Sequence, residues 1–177
     1  MPDYARSLVE AYVYLDITSP GAERVVTEQD DDWLVRAGDA EIVVPFVSEE
    51  EARLEDATFG LGLSELIDLG QWVLIAATYA DRALEGGLLY SADTTVDERY
   101  HDVVADWRFA ADAVAEALKF VRSDGTPPPP EAFWTDMGRA AYEDNPERFT
   151  YEALVDDLAY YRDSLTNFQR LHQPPDQ

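Results

Sequence analysis

The chain has 177 residues, about one domain's worth, of which 46% are apolar, with 4 Trp, 7 Phe and 10 Tyr; such a composition excludes a disordered chain and allows a sizeable core. Cys is absent, which excludes disulfides, thiolate metal sites and cysteine nucleophiles. Acids outnumber bases by 37 to 13, for a formal net charge of −24, and a field of that sign repels phosphate backbones and anionic bilayers while attracting cationic partners, so neither nucleic acid nor membrane is expected as a partner.

In chain order, Ala5, Leu8, Tyr12 and Leu15 recur at helical spacing, so a short helix is predicted over 2–14, with Pro2 in its first turn. Val13, Leu15 and Ile17 also alternate as a strand would, which leaves the second half ambiguous. Ser19-Pro20-Gly21 is a turn, and three short strands are predicted after it, over 23–27, 32–37 and 41–47. Gly38-Asp39 is a tight-hairpin signal, and connections this short require antiparallel pairing, giving a small meander. The charged stretch 49–56 suits a surface helical turn.

Ser64 is expected to cap a helix running to about Leu84, buried nearly all round and central to the core, with Gly86-Gly87 breaking the chain after it. The apolar stripe Val96, Tyr100, Val103, Trp107, Ala110, Val114, Leu118 and Val121 predicts a long helix over 96–121. Pro127–Pro130 reads as a stiff connection, followed by a helix over 131–142 and a break at Asn145-Pro146. The final helix, 151–171, carries Tyr151, Leu154, Leu158, Tyr161, Leu165 and Phe168 in steps of three and four, a stripe that packs on its own domain or forms a homodimer seam. Pro174-Pro175 is expected to end it.

The acidic surplus runs through the whole chain and is heaviest in the first 60 residues, so no acidic tail accounts for it. It reads either as attraction to a basic partner or as a general solubility bias; a single lysine, Lys119, among the 13 bases fits GC-rich coding or a halophilic source. The most apolar run, 69–80, is too short to cross a bilayer, and Met1-Pro2-Asp3-Tyr4 has neither a basic region nor an apolar signal segment, so the expected compartment is the cytoplasm.

Signals for chemistry are sparse. His172 lies near the C-terminus, and His101 sits at the edge of the apolar stripe of 96–121. No Gly-x-Ser-x-Gly elbow occurs, and Gly60-Leu61-Gly62-Leu63-Ser64 lacks the lysine of a phosphate loop. Asp30-Asp31-Asp32 and Glu49-Glu50-Glu51 are consecutive runs, whereas a hard-cation cage needs spaced ligands that converge. Asp102 with Asp106, and Asp112 with Glu116, stack at i,i+4, a geometry that holds metal only when buried opposite further ligands. No catalytic, cofactor-binding or metal-ligating residue is assigned on these grounds. Phe133 and Trp134, after the proline run, either anchor a partner or cap the core.

Several short segments resemble a group of uncharacterised bacterial proteins frequent in actinobacteria and myxobacteria. They are Leu15-Asp16, Phe59-Gly60, Ser64-Glu65-Leu66-Ile67-Asp68 with Gly70-Gln71-Trp72, and Glu116-Ala117-Leu118-Lys119-Phe120. The last is Phe133-Trp134-Thr135 with Gly138-Arg139-Ala140, Tyr142, Pro146 and Arg148-Phe149. Members of that group typically place cysteine pairs in the N-terminal β region, which implies a small zinc-stabilised hairpin there. This chain has none, so no metal role carries over, and the resemblance implies continuity of fold alone.

The expectation is a single α+β domain over 1–177, with a small antiparallel meander in a β-rich part, 1–60, packed against four or five helices in 61–177. The expected function is a non-catalytic acidic binding protein, an immunity-type inhibitor of a basic protein, with Asp30, Asp31, Asp32, Glu49, Glu50 and Glu51 as the contact. A carboxylate- or metal-dependent enzyme, and a scaffold or homodimer built on helix 151–171, are the alternatives.

Overall fold

The computed structural model describes residues 2–172. The fold is α+β, with a sheet confined to the N-terminal part and helices dominating the rest. The chain divides into two compact units, Met1–Ile67 and Asp68–Gln177.

The first unit is built on a four-stranded sheet of order β1-β4-β3-β2. Strands β2 (Arg24–Glu28), β3 (Asp32–Ala37) and β4 (Ala40–Pro45) form the expected antiparallel meander, with Ala37 opposite Ala40 across the Gly38-Asp39 turn. A fourth strand, β1 (Asp3–Tyr4), pairs parallel with β4 at Ile42 and Val43, so the sheet is mixed. Val35, Ile42 and Val44 are fully buried.

The predicted helix over 2–14 is therefore displaced: α1 runs Leu8–Thr18. Ser7 sets its start, its hydroxyl accepting from the Glu10 amide at 3.0 Å. Ala11, Val13 and Leu15 are buried on α1, so the alternation at 13, 15 and 17 belongs to a helix. A second helix, α2 (Phe46–Leu54), follows β4 directly; the last predicted strand ends two residues early because the chain turns into this helix at Phe46, whose amide still bonds to Asp31 O at 3.0 Å.

The second unit is helical: α3 (Leu69–Ala92), α4 (Asp97–Leu118), α5 (Asp136–Asp144) and α6 (Tyr151–Leu171), with short 3-10 turns at Pro130–Ala132 and Pro146–Phe149. α3 packs along α4 and crosses α5, while α4 packs on α6. Leu69, Trp72, Val73, Ile75, Ala76, Ala80 and Ala83 of α3 are buried, and each large apolar side chain so removed from water contributes roughly 1.5–3 kcal/mol.

Two expectations about α3 are corrected. Ser64 does not cap it: its hydroxyl accepts from the Leu66 and Ile67 amides, closing a turn, and Asp68 is the cap. Nor does Gly86-Gly87 break the helix, which continues to Ala92. The packing explains why a glycine sits there, since a Cβ on Gly86 would lie 2.9 Å from Cγ2 of Val103 on α4; the residue permits close approach of the two helices. The predicted helix at 131 likewise starts later, at Asp136, where the Thr135 hydroxyl accepts from the Gly138 amide. Helix 151–171 occurs with the predicted limits. Pro174-Pro175 lies outside the described residues.

The stripe on α6 is used within its own unit. Leu154, Tyr161 and Phe168 are buried, with the Tyr161 ring 6.1 Å from Trp107 and Phe168 5.2 Å from Tyr100, both on α4.

Candidate functional site

In the first unit the sheet topology brings together the two acidic runs, which lie apart in sequence. Asp30 and Asp31 form the β2–β3 turn, where the Gln29 amide donates to Asp32 O at 2.8 Å. The Phe46 amide, at the first residue of α2, donates to Asp31 O at 3.0 Å. The acidic turn and the acidic helix therefore share one end of the sheet.

Their six carboxylates are not equivalent. Asp30, Asp31, Glu50 and Glu51 are exposed. Glu49 is turned inward on its helix, and its Oε2 accepts from the Leu8 amide at 2.8 Å, satisfying a free donor at the start of α1. Asp32 is half-buried at the start of β3, and its Oδ1 is buried without a hydrogen-bond partner. Beside this end, Trp33 and Phe46 meet edge to face at 4.3 Å, an aromatic contact that fixes the departure of α2 from the sheet. Of the six, Asp30, Asp31, Glu50 and Glu51 therefore face solvent.

A second polar group in the first unit is structural. Glu10 is fully buried, where it accepts from the Arg6 amide at 2.7 Å and from Arg6 Nη2 at 2.7 Å. The same guanidinium donates to the carbonyls of Gly60 and Gly62, at 3.3 and 2.7 Å. A buried carboxylate is stable only when paired and hydrogen-bonded in this way. The pair holds the 60–62 loop against the start of α1. The i,i+4 spacing of Arg6 and Glu10 is the sequence signal that points to the pair.

In the second unit the deepest polar residue is Asp68, which is fully buried. Its Oδ1 accepts from the Gln71 amide at 2.9 Å, and the Gln71 side chain accepts from the Asp68 amide at 2.9 Å. Its Oδ2 accepts from both the amide and hydroxyl of Thr135, at 2.8 and 2.7 Å. A Cβ on Gly138 would collide with the Asp68 carboxylate, and one on Gly70 would collide with the backbone of Gly138. Asp68 thus caps α3 and receives the start of α5 with one carboxylate, and two glycines make the room.

Among the other sequence candidates, Asp106 and Glu116 are buried on α4, while Asp102 is exposed. Glu116 pairs with Lys119 at 2.7 Å. Asp106 lies 3.6 Å from Arg82; burial, with a smaller push from Asp102, holds its carboxyl above the usual range despite that arginine. Asp157 on α6 is raised for the same first reason, burial, against the pull of Arg148. His101 is exposed. His172, near the C-terminus, packs its ring 5.0 Å from Tyr90 and 4.9 Å from Phe168. Phe133 is buried and joins Tyr142 and Phe149 at 4.6 and 5.4 Å, while Trp134 is 40% exposed.

A cavity of about 350 Å3 lies beside this aromatic group, lined by Val73, Leu74, Phe149, Asp144, Asn145 and Arg148 among others. Among the described residues no group of three or more His, Asp or Glu side chains is placed to hold a metal ion, and no helix is long and apolar enough to cross a membrane. No family model, curated protein or solved structure matches the chain.

Proposed function

We propose that this chain is a non-catalytic acidic binding protein of the cytoplasm that captures a basic protein, in the manner of an immunity-type inhibitor, through the acidic end of its N-terminal sheet. The observation that carries this reading is the hydrogen bond from the Phe46 amide to Asp31 O, which joins the acidic turn to the acidic helix and leaves Asp30, Asp31, Glu50 and Glu51 exposed. Carboxylates held on a turn and a helix are positioned before encounter, and the net charge of −24 accelerates approach of a cationic surface. Kinship with the actinobacterial and myxobacterial group is proposed on the segments quoted above.

The test replaces the four acids with Asn and Gln together and compares capture from a host lysate with that by the unchanged chain. A basic protein held at low salt, released by about 0.5 M salt, and bound at least about tenfold more weakly by the quadruple variant is the expected result. A partner retained equally by both forms, or indifferent to salt, would refute the assignment.

A further inference from the structure

Strand β2 is the free edge of the sheet, and all five of its residues, Arg24-Val25-Val26-Thr27-Glu28, are exposed. Val25 and Val26 are 54% and 43% exposed, one on each face. An uncovered strand of this kind is a template for another strand, and proteins ordinarily blunt it with proline, a bulge or inward-pointing charge. β2 contains no proline and pairs with β3 in unbroken register from Arg24–Ala37 to Glu28–Trp33.

We propose that β2 pairs antiparallel with β2 of a second copy of this chain, about a two-fold axis at Val26, joining two sheets into one of eight strands. Two features support this pairing, one fixing its register and the other its occupant. The first is backbone phase. The Gln29 amide bonds to Asp32 O, so by the alternation of an antiparallel ladder residues 25, 27 and 29 use their polar groups on β3, and those of 24, 26 and 28 point outward. In the two-fold arrangement Val26 faces Val26 of the second copy, and Arg24 faces its Glu28. Every outward-pointing residue therefore meets an outward-pointing residue, and a shift by one residue destroys that match.

The second feature is charge. The strand carries a base at one end and an acid at the other, so self-pairing sets Arg24 against Glu28 twice. Opposite charges across a ladder are favourable, and like charges there are not. A parallel pairing would set Arg24 against Arg24. Within its own chain the guanidinium lies 5.5 Å over the Tyr12 ring and pairs with Asp16 of α1, so Glu28 of the second copy shares this arginine with Asp16. Repulsion between two bodies of charge −24 opposes the dimer, so the association strengthens as salt screens that long-range term.

Sedimentation velocity of the full chain at about 0.3 M salt tests the proposal. Expected is a rise from monomer to dimer over tens to hundreds of micromolar, as suits a small interface. Arg24→Glu and Glu28→Arg should each weaken association about tenfold, and the double exchange should restore it. Val26→Pro removes only an outward amide and should abolish the dimer while leaving the far-ultraviolet circular dichroism unchanged. Amide exchange at 24, 26 and 28 should slow with protein concentration. A monomer at every concentration, a dimer indifferent to Val26→Pro, or a double exchange no better than the singles would overturn the proposal.

Discussion

At the scale of single residues, the strongest constraints are buried carboxylates rather than exposed ones. Asp68 accepts three hydrogen bonds at 2.7–2.9 Å in a fully buried position. Replacing it with Ala leaves the Thr135 and Gln71 donors unmatched, at a cost of about 3 kcal/mol. Gly138→Ala acts on the same point from the other side and should destabilise by about 2–3 kcal/mol through overpacking. Chemical denaturation of both variants checks this, and because the two share one contact their effects should not add. Asp106 offers the opposite case. Its folded carboxyl titrates above the unfolded value because of burial, so the folded state binds more protons over the interval between the two. The group's contribution is then most favourable below the unfolded value and is lost as pH rises through the folded one. Asp106→Asn should therefore raise the melting temperature at pH 7 and make no difference once both forms are protonated, below about pH 3. Thermal melts across that range decide it.

At the scale of elements, the sequence was most legible where periodicity was long and turn chemistry strict. The meander followed from Gly38-Asp39 and short connections, and α6 from an unbroken three-four stripe. β1 was not legible, because two residues carry no alternation and their pairing depends on β4, which lies almost forty residues away. The starts of α1 and α3 were misplaced although Ser7-x-x-Glu10 and Asp68-x-x-Gln71 are readable caps. The apolar pattern alone does not say where a helix begins. Gly86-Gly87 failed for another reason: a paired glycine signals either a break or a close crossing, and only the position of Val103 distinguishes them. The two glycines should also separate experimentally. Gly87→Ala meets nothing closer than 4.0 Å, so it should stabilise α3 by about 0.5–1 kcal/mol. At Gly86 the Val103 methyl must give way, so Ala there should gain less or lose. Melting temperatures of the two variants make the comparison.

At the scale of the whole molecule, the acidic surplus is distributed, and only part of it was assignable from sequence. The two acidic runs were identifiable as exposed candidates, but that they share one end of the sheet depends on β3 and β4 bringing Asp31 to Phe46. The inward role of Glu49 depends on the position of α1 and has no local signature. With a charge of −24, self-repulsion burdens the folded state, and salt relieves it. The melting temperature should rise between about 0.01 and 0.3 M sodium chloride, as the screening length falls from ~30 Å to below ~8 Å. A flat or falling response would mean that local ion pairs such as Arg6 with Glu10 outweigh the general field.

The bond from Thr135 to Asp68 spans 67 positions. During synthesis on the ribosome, α3 emerges long before the segment that completes its cap. Until Thr135 and Gly138 have left the exit tunnel, Asp68 must face water or bond only to Gln71, and the start of α3 remains open to fraying. The helical unit is thus expected to lock late and vectorially, with arrest after residue 68 has left the tunnel but before Thr135 has done so leaving a nascent chain that proteases cut near 68.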